Sequence, residues 1–163
     1  MRLSASIFPS IVLVVCNGNI CRSPYAAAVL RGTSRREGFE MRVESAGFIG
    51  PGRPVDRRVE LFALKRELDL TQHRSQLLPA RELARFQLIL AMTRRHRSEL
   101  IQRFRVPPGR VMLLGDFDLE DPPEREIPDP FGVGDATFKR ILAQIDRSIA
   151  GFVQSLPSVQ SSS

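Results

Sequence analysis

Two cysteines and an arginine stand in the short stretch Val15-Cys16-Asn17-Gly18-Asn19-Ile20-Cys21-Arg22-Ser23-Pro24. A thiolate is a nucleophile, and a guanidinium fork binds two oxygens of a tetrahedral anion at once. Cys16 and Arg22 at this spacing suit attack by sulfur on a phosphate held by the arginine. The intervening backbone can contribute as well. Gly18 and Asn19 tolerate the unusual backbone angles that let successive N–H groups close around an anion. That field favours the thiolate form of Cys16. Ser23 can donate a hydrogen bond to this thiolate, or act as a helix N-cap with Pro24 at the first helical position. Cys21, inside the loop, is either a small buried residue or a partner for a reversible disulfide with Cys16.

Such a loop needs a strand before it and a helix after it. The run Ile11-Val12-Leu13-Val14-Val15 predicts a buried strand over 11–15, and 24–37 reads as a helix. A loop entering a helix leaves N–H groups free, and the helix dipole favours an anion there. Further strands are predicted at 41–46, 86–92 and 111–114. Helices are predicted at 56–68, 94–104 and 135–153. Phe138, Ile141, Leu142, Ile145, Ile149 and Phe152 recur at helical spacing in the last of these. Strands alternating with helices predict an α/β fold, a parallel sheet with helices on both faces. Ligands of such sheets sit at the carboxyl ends of the strands, where Cys16 falls.

The chain resembles the low-molecular-weight protein tyrosine phosphatase family. The resemblance is carried by CNGNICRSP at Cys16–Pro24, by Val43-Glu44-Ser45-Ala46-Gly47 and by His73-Arg74-Ser75. Leu88-Ile89-Leu90-Ala91-Met92 and Ile127-Pro128-Asp129-Pro130-Phe131-Gly132 extend it over about residues 11–153. It implies a four-stranded parallel sheet of flavodoxin-like arrangement and hydrolysis of phosphotyrosine through a phosphocysteine. It implies Ser45 and His73 as partners of Asn19. Phe131, with Asn17 and Phe48, is expected to line the aryl slot. No metal or other cofactor is implied. The implied substrate is a tyrosine-phosphorylated protein, with a bacterial tyrosine kinase as one such partner.

The reaction needs an acid for the leaving oxygen. Asp129 lies between two prolines, which stiffen its loop and bias it toward extended geometry. Asp121, also followed by proline, is the rival, but its stretch is more acidic and no Phe-Gly follows it. Several positions depart from the family's pattern. Ala27 stands where many members have Glu, Thr93 where Asp is usual, and Phe131 where Tyr is more frequent. The loop Gly50-Pro51-Gly52-Arg53-Pro54 lacks an aromatic.

Other functions fit less well. Arsenate reductases of this fold use further cysteines, and none follows Cys21. Protein arginine phosphatases carry Thr where Ile20 stands. A nucleotide-binding P-loop would need Gly-Lys-Ser/Thr after its glycines. A phosphate-binding module without catalysis would be expected to lose Cys16 or the acid. The net charge is +6, yet the chain has no Trp and one Tyr, which argues against stacking on nucleic acid. A basic rim also draws in phosphorylated, acidic substrates. Two cysteines make neither a disulfide scaffold nor a zinc site. The apolar run before Cys16 is too short to span a bilayer, and bulky residues precede that cysteine. The expectation is a cytoplasmic monomer with one domain over 1–155 and a polar tail at 156–163.

Overall fold

The structure, a computed structural model, describes residues 9–120 and 125–157. Among them are four strands and four α-helices in strict alternation. These are β1 (Ile11–Cys16), α1 (Arg22–Arg36), β2 (Arg42–Gly47), α2 (Arg57–Leu64), β3 (Leu88–Ala91), α3 (Arg94–Gln102), β4 (Val111–Leu113) and α4 (Asp135–Ser155). The strands form one parallel sheet in the order β2-β1-β3-β4. β1 is the second strand of that sheet, paired on both edges, which is why it reads as an unbroken apolar run. No helix of the described residues is long and apolar enough to cross a membrane.

Successive β1 side chains point to opposite faces. Val12, Val14 and Cys16 enter the larger core cluster with Tyr25 and Leu30 of α1, Val59 and Ala63 of α2, and Phe138, Leu142, Ile145 and Ile149 of α4. Leu13 and Val15 enter the other cluster, with Phe86, Leu100 of α3 and Val111. The sheet is therefore covered on both faces, as the alternating pattern predicts. Each of the six apolar residues picked out in the last helix is buried.

The boundaries differ from those predicted for local reasons. α1 begins at Arg22, two residues before the expected start, because Tyr25 N already donates to Cys21 O at 3.3 Å. Ser23 is thus the second helical residue and not the N-cap, and Pro24 is the third. α2 stops at Leu64 because Glu67 takes a left-handed backbone (φ 60°) and Leu68 N turns back to Ala63 O. β3 is shorter than predicted: Met92 leaves the sheet, and its carbonyl accepts from Ile127 N at 2.9 Å. Leu156, expected in the tail, is buried in the larger core cluster. Residues 158–163 and the rival acid Asp121 lie outside the described residues.

The end of β2 is packed against the loop that follows β1. Cys16 pairs with Gly47 in the sheet register. A Cβ at Gly47 would lie 2.8 Å from Asn17 O, 2.9 Å from Asn19 N and 3.0 Å from Gly18 C. All three are backbone atoms, so the loop would have to move as a body. Gly47→Ala is expected to cost about 1–3 kcal/mol, as overpacking does. In thermal unfolding that appears as a Tm lowered by roughly 2–10 °C. An unchanged Tm would show that the loop yields freely.

Candidate active site

Cys16 ends β1, and the chain then turns through residues 17–21 into α1. The turn is set by Asn19, a buried residue with a left-handed backbone (φ 54°). Asparagine is among the few side chains that accept this conformation. Its polar groups are fully used. Nδ2 donates to Ser23 Oγ at 2.8 Å and to Ser45 Oγ at 2.9 Å. Oδ1 accepts from Gln76 N at 3.0 Å, and the backbone carbonyl accepts from His73 Nε2 at 2.7 Å. The backbone N–H donates to Cys16 Sγ at 3.3 Å. Gln76 also ties Ser45 down, with Nε2 donating to its carbonyl at 2.7 Å.

Ser45 and His73 thus stand where the resemblance puts them, around Asn19. Burial lowers the His73 pKa, opposed by the bond to the Asn19 carbonyl. The neutral ring that burial favours carries its proton on Nε2 to make this bond. Gln76 was not foreseen from sequence. Its signal is weak, because it holds Asn19 through its backbone N–H.

Cys16 Sγ lies 3.0 Å from Ser23 Oγ, so the serine hydroxyl can donate to a thiolate. Cys21 is different in kind. Burial, reinforced by the charges of Asp56, Cys16 and Asp129, pushes its thiol up to about 12. It stays protonated at neutral pH. Both cysteines are free.

Polar groups on this loop lack partners in a consistent way. The backbone N–H groups of Gly18, Ile20, Cys21, Arg22 and Ser23 donate to no group of the described residues. Arg22 is buried, and its Nε has no hydrogen-bond partner. Buried donors are normally satisfied, so a cluster of open ones marks a place for an acceptor from outside. The groups are two kinds of donor, backbone amide and guanidinium, and both suit an oxyanion at a helix N-terminus.

Arg22 Nη1 donates to Ile127 O at 2.9 Å, which ties the loop to the segment carrying Asp129. Asp129 Oδ2 is 3.9 Å from Arg22 Nη2. The Asp129 side chain is 56% exposed against 5% for Arg22, so the carboxyl group can reach both water and a substrate oxygen. Its other oxygen accepts from Phe131 N at 3.0 Å, closing a turn. Arg58, which sequence reasoning missed, braces the far side, donating to Pro130 O at 2.9 Å and Val133 O at 2.8 Å.

The aromatic residues divide. Phe131 is 76% exposed beside Asp129. Phe48, expected in the slot, instead turns to the second core cluster. Its ring stacks on His96 at 5.3 Å and lies 6.1 Å from Phe104. Burial, with the Arg22 charge next, pushes the His96 imidazole down to about 4, so a neutral ring backs Phe48. Exposed Ile49 sits next in sequence, with its N–H and that of Phe48 both on Asn17 O. Two departures from the family's pattern have local explanations. Thr93 caps α3, its Oγ1 accepting from His96 N at 3.1 Å. Ala27 is buried in the larger core.

Comparison with known proteins agrees with this geometry. Residues 11–161 match the family described as low molecular weight phosphotyrosine protein phosphatase. The low molecular weight protein-tyrosine-phosphatase Wzb of Escherichia coli K12 is 36% identical over 152 residues, covering 91% of this chain and 97% of that one. Vibrio vulnificus Wzb, solved in complex with benzylphosphonate, superposes with a TM-score of 0.81 at 28% identity, over 91% of this chain and 100% of that one. The tyrosine phosphatase amsI of Erwinia amylovora gives a TM-score of 0.83 at 25% identity, over 96% and 99%. The chain belongs to the low molecular weight phosphotyrosine protein phosphatase family, and it is an enzyme of the protein tyrosine phosphatase class.

Proposed function

We propose that the protein hydrolyses phosphotyrosine in proteins in two steps through a phosphocysteine at Cys16. The observation that carries the reading is the set of open donors on the loop, Arg22 Nε among them, beside a sulfur that already accepts from Asn19 N. The phosphate takes those donors. Cys16 Sγ attacks phosphorus, the S–P bond forms and the P–O bond to the tyrosine ring breaks. Asp129 gives its proton to the departing oxygen. Water then attacks the phosphocysteine, Asp129 takes its proton, and the S–P bond breaks to release phosphate. The Ser23 hydroxyl, 3.0 Å from the sulfur, stabilises the thiolate as it leaves. Arg22 and the backbone donors supply the positive field for the equatorial oxygens.

A relative solved with benzylphosphonate, in which a methylene joins an aromatic ring to a tetrahedral phosphonate where an aryl phosphate has oxygen, supports an aryl ester as substrate. In this reading Phe131, exposed and two residues from the acid, covers the ring of such a substrate. The reading includes a cytoplasmic monomer acting on tyrosine-phosphorylated proteins, a bacterial tyrosine kinase among them. A reducing compartment keeps Cys16 available.

The test is phosphate release from matched phosphotyrosine, phosphoserine and phosphoarginine peptides in reductant and EDTA. Release is expected from phosphotyrosine and to be lost in Cys16→Ser. Preference for phosphoarginine would keep the sulfur chemistry and overturn the substrate. The acid has its own signature. Asp129→Asn is expected to lower kcat/KM, which reports the step that expels the leaving group, by about 10²–10⁴-fold for phenolic leaving groups of high pKa. The loss should shrink toward nothing for a leaving group as acidic as nitrophenol. A loss independent of the leaving group would remove Asp129 from the acid role.

A further inference from the structure

Arg53 takes no part in the chemistry above, yet its guanidinium is fixed against the outer side of the phosphate loop. Nη2 donates to Gly18 O at 3.2 Å and Nε to Gly50 O at 3.1 Å. Its backbone N–H donates to the hydroxyl of the buried Ser75 at 2.9 Å. The slot it occupies exists because two residues lack side chains. A Cβ on Gly18 would lie 2.8 Å from Nη2. One on Gly50, whose φ is +69°, would lie 2.5–2.7 Å from Nη2, Nε and Cζ.

The charge so held has no carboxylate at ion-pair distance among the described residues, and Nη1 makes no hydrogen bond to them. Neighbouring arginines behave otherwise: Arg57 pairs with Glu60, and Arg58 lies 4.0 Å from Asp135. Arg53 is exposed. A guanidinium whose rotamer is already fixed loses little freedom on meeting a planar carboxylate.

We propose that Arg53 is a specificity-determining residue that takes an acidic side chain flanking the phosphotyrosine. The inference rests on the phosphatase reading given above. Arg22 and the loop hold the phosphate, and Arg53, bonded to Gly18 of the same loop, offers Nη1 to a carboxylate of the peptide. Peptides with Glu or Asp beside the phosphotyrosine are therefore better substrates than their amide counterparts, and salt narrows the gap because the contact is exposed.

The test compares kcat/KM for two phosphotyrosine peptides that differ only in Glu against Gln at the flanking positions. The readout is the ratio of the two within each protein, so a general loss of activity cancels. The full chain is expected to favour the Glu peptide about threefold to tenfold at low salt. In Arg53→Gln the ratio should fall to about one, and Arg53→Lys should retain part of it. Equal rates in the unaltered chain, or the same ratio in Arg53→Gln, overturns the assignment and leaves the phosphatase reading intact. Hydrolysis of neither peptide by the unaltered chain overturns both.

Discussion

The structure depends on one buried asparagine. Asn19 has to hold a left-handed backbone, and five hydrogen bonds radiate from it to Cys16, Ser23, Ser45, His73 and Gln76. A loop with several N–H groups that donate to none of the described residues concentrates partial positive charge. Left alone it would relax and find internal partners. Asn19 prevents this by tying the loop to the end of β2 and to the segment after α2. Buried hydrogen bonds of this kind are costly to leave unmade, at about 1–3 kcal/mol for each orphaned group. The site is thus built before its ligand arrives, the condition under which electrostatic stabilisation is most effective.

Two further ties extend that order outward. Arg22 reaches from the loop to the carbonyl of Ile127, and Ile127 N reaches Met92 at the end of β3. The acid loop is thereby fixed to the sheet and to the arginine that binds phosphate. The sulfur and the guanidinium come from one loop, between β1 and α1, and the carboxyl group from a segment more than a hundred residues on. They meet because β1 and β3 are neighbours and their ends lie at one edge of the sheet. The fold supplies the meeting point; the specific side chains supply the chemistry.

Much of this was legible in the sequence. The strands showed as apolar runs because a sheet covered on both faces needs them, and α4 showed through its spacing. The loop showed through Cys16 and Arg22, whose chemistry is strong at short range. The resemblance added Ser45 and His73, which stand 26 and 54 residues from Asn19. What did not show were contacts made by backbone groups or set by crowding. Gln76 acts mainly through its N–H, Ile127 through its carbonyl, and Gly47 through the absence of a Cβ. Arg58 and Arg53 are two arginines among many, and nothing in their spacing marks the carbonyls they bind. Phe48, expected to line the slot, packs its ring on His96 against the second core cluster, a contact set by tertiary packing that the local sequence does not mark.

The most direct test of a prebuilt anion site is calorimetric titration of inorganic phosphate into the unaltered chain and into Asn19→Ala. The account predicts one phosphate per chain, bound at least about tenfold more weakly once the asparagine ties are cut, since about 1.4 kcal/mol suffices for that factor. Equal affinity in the two proteins would contradict it, because the loop would then hold its shape without Asn19.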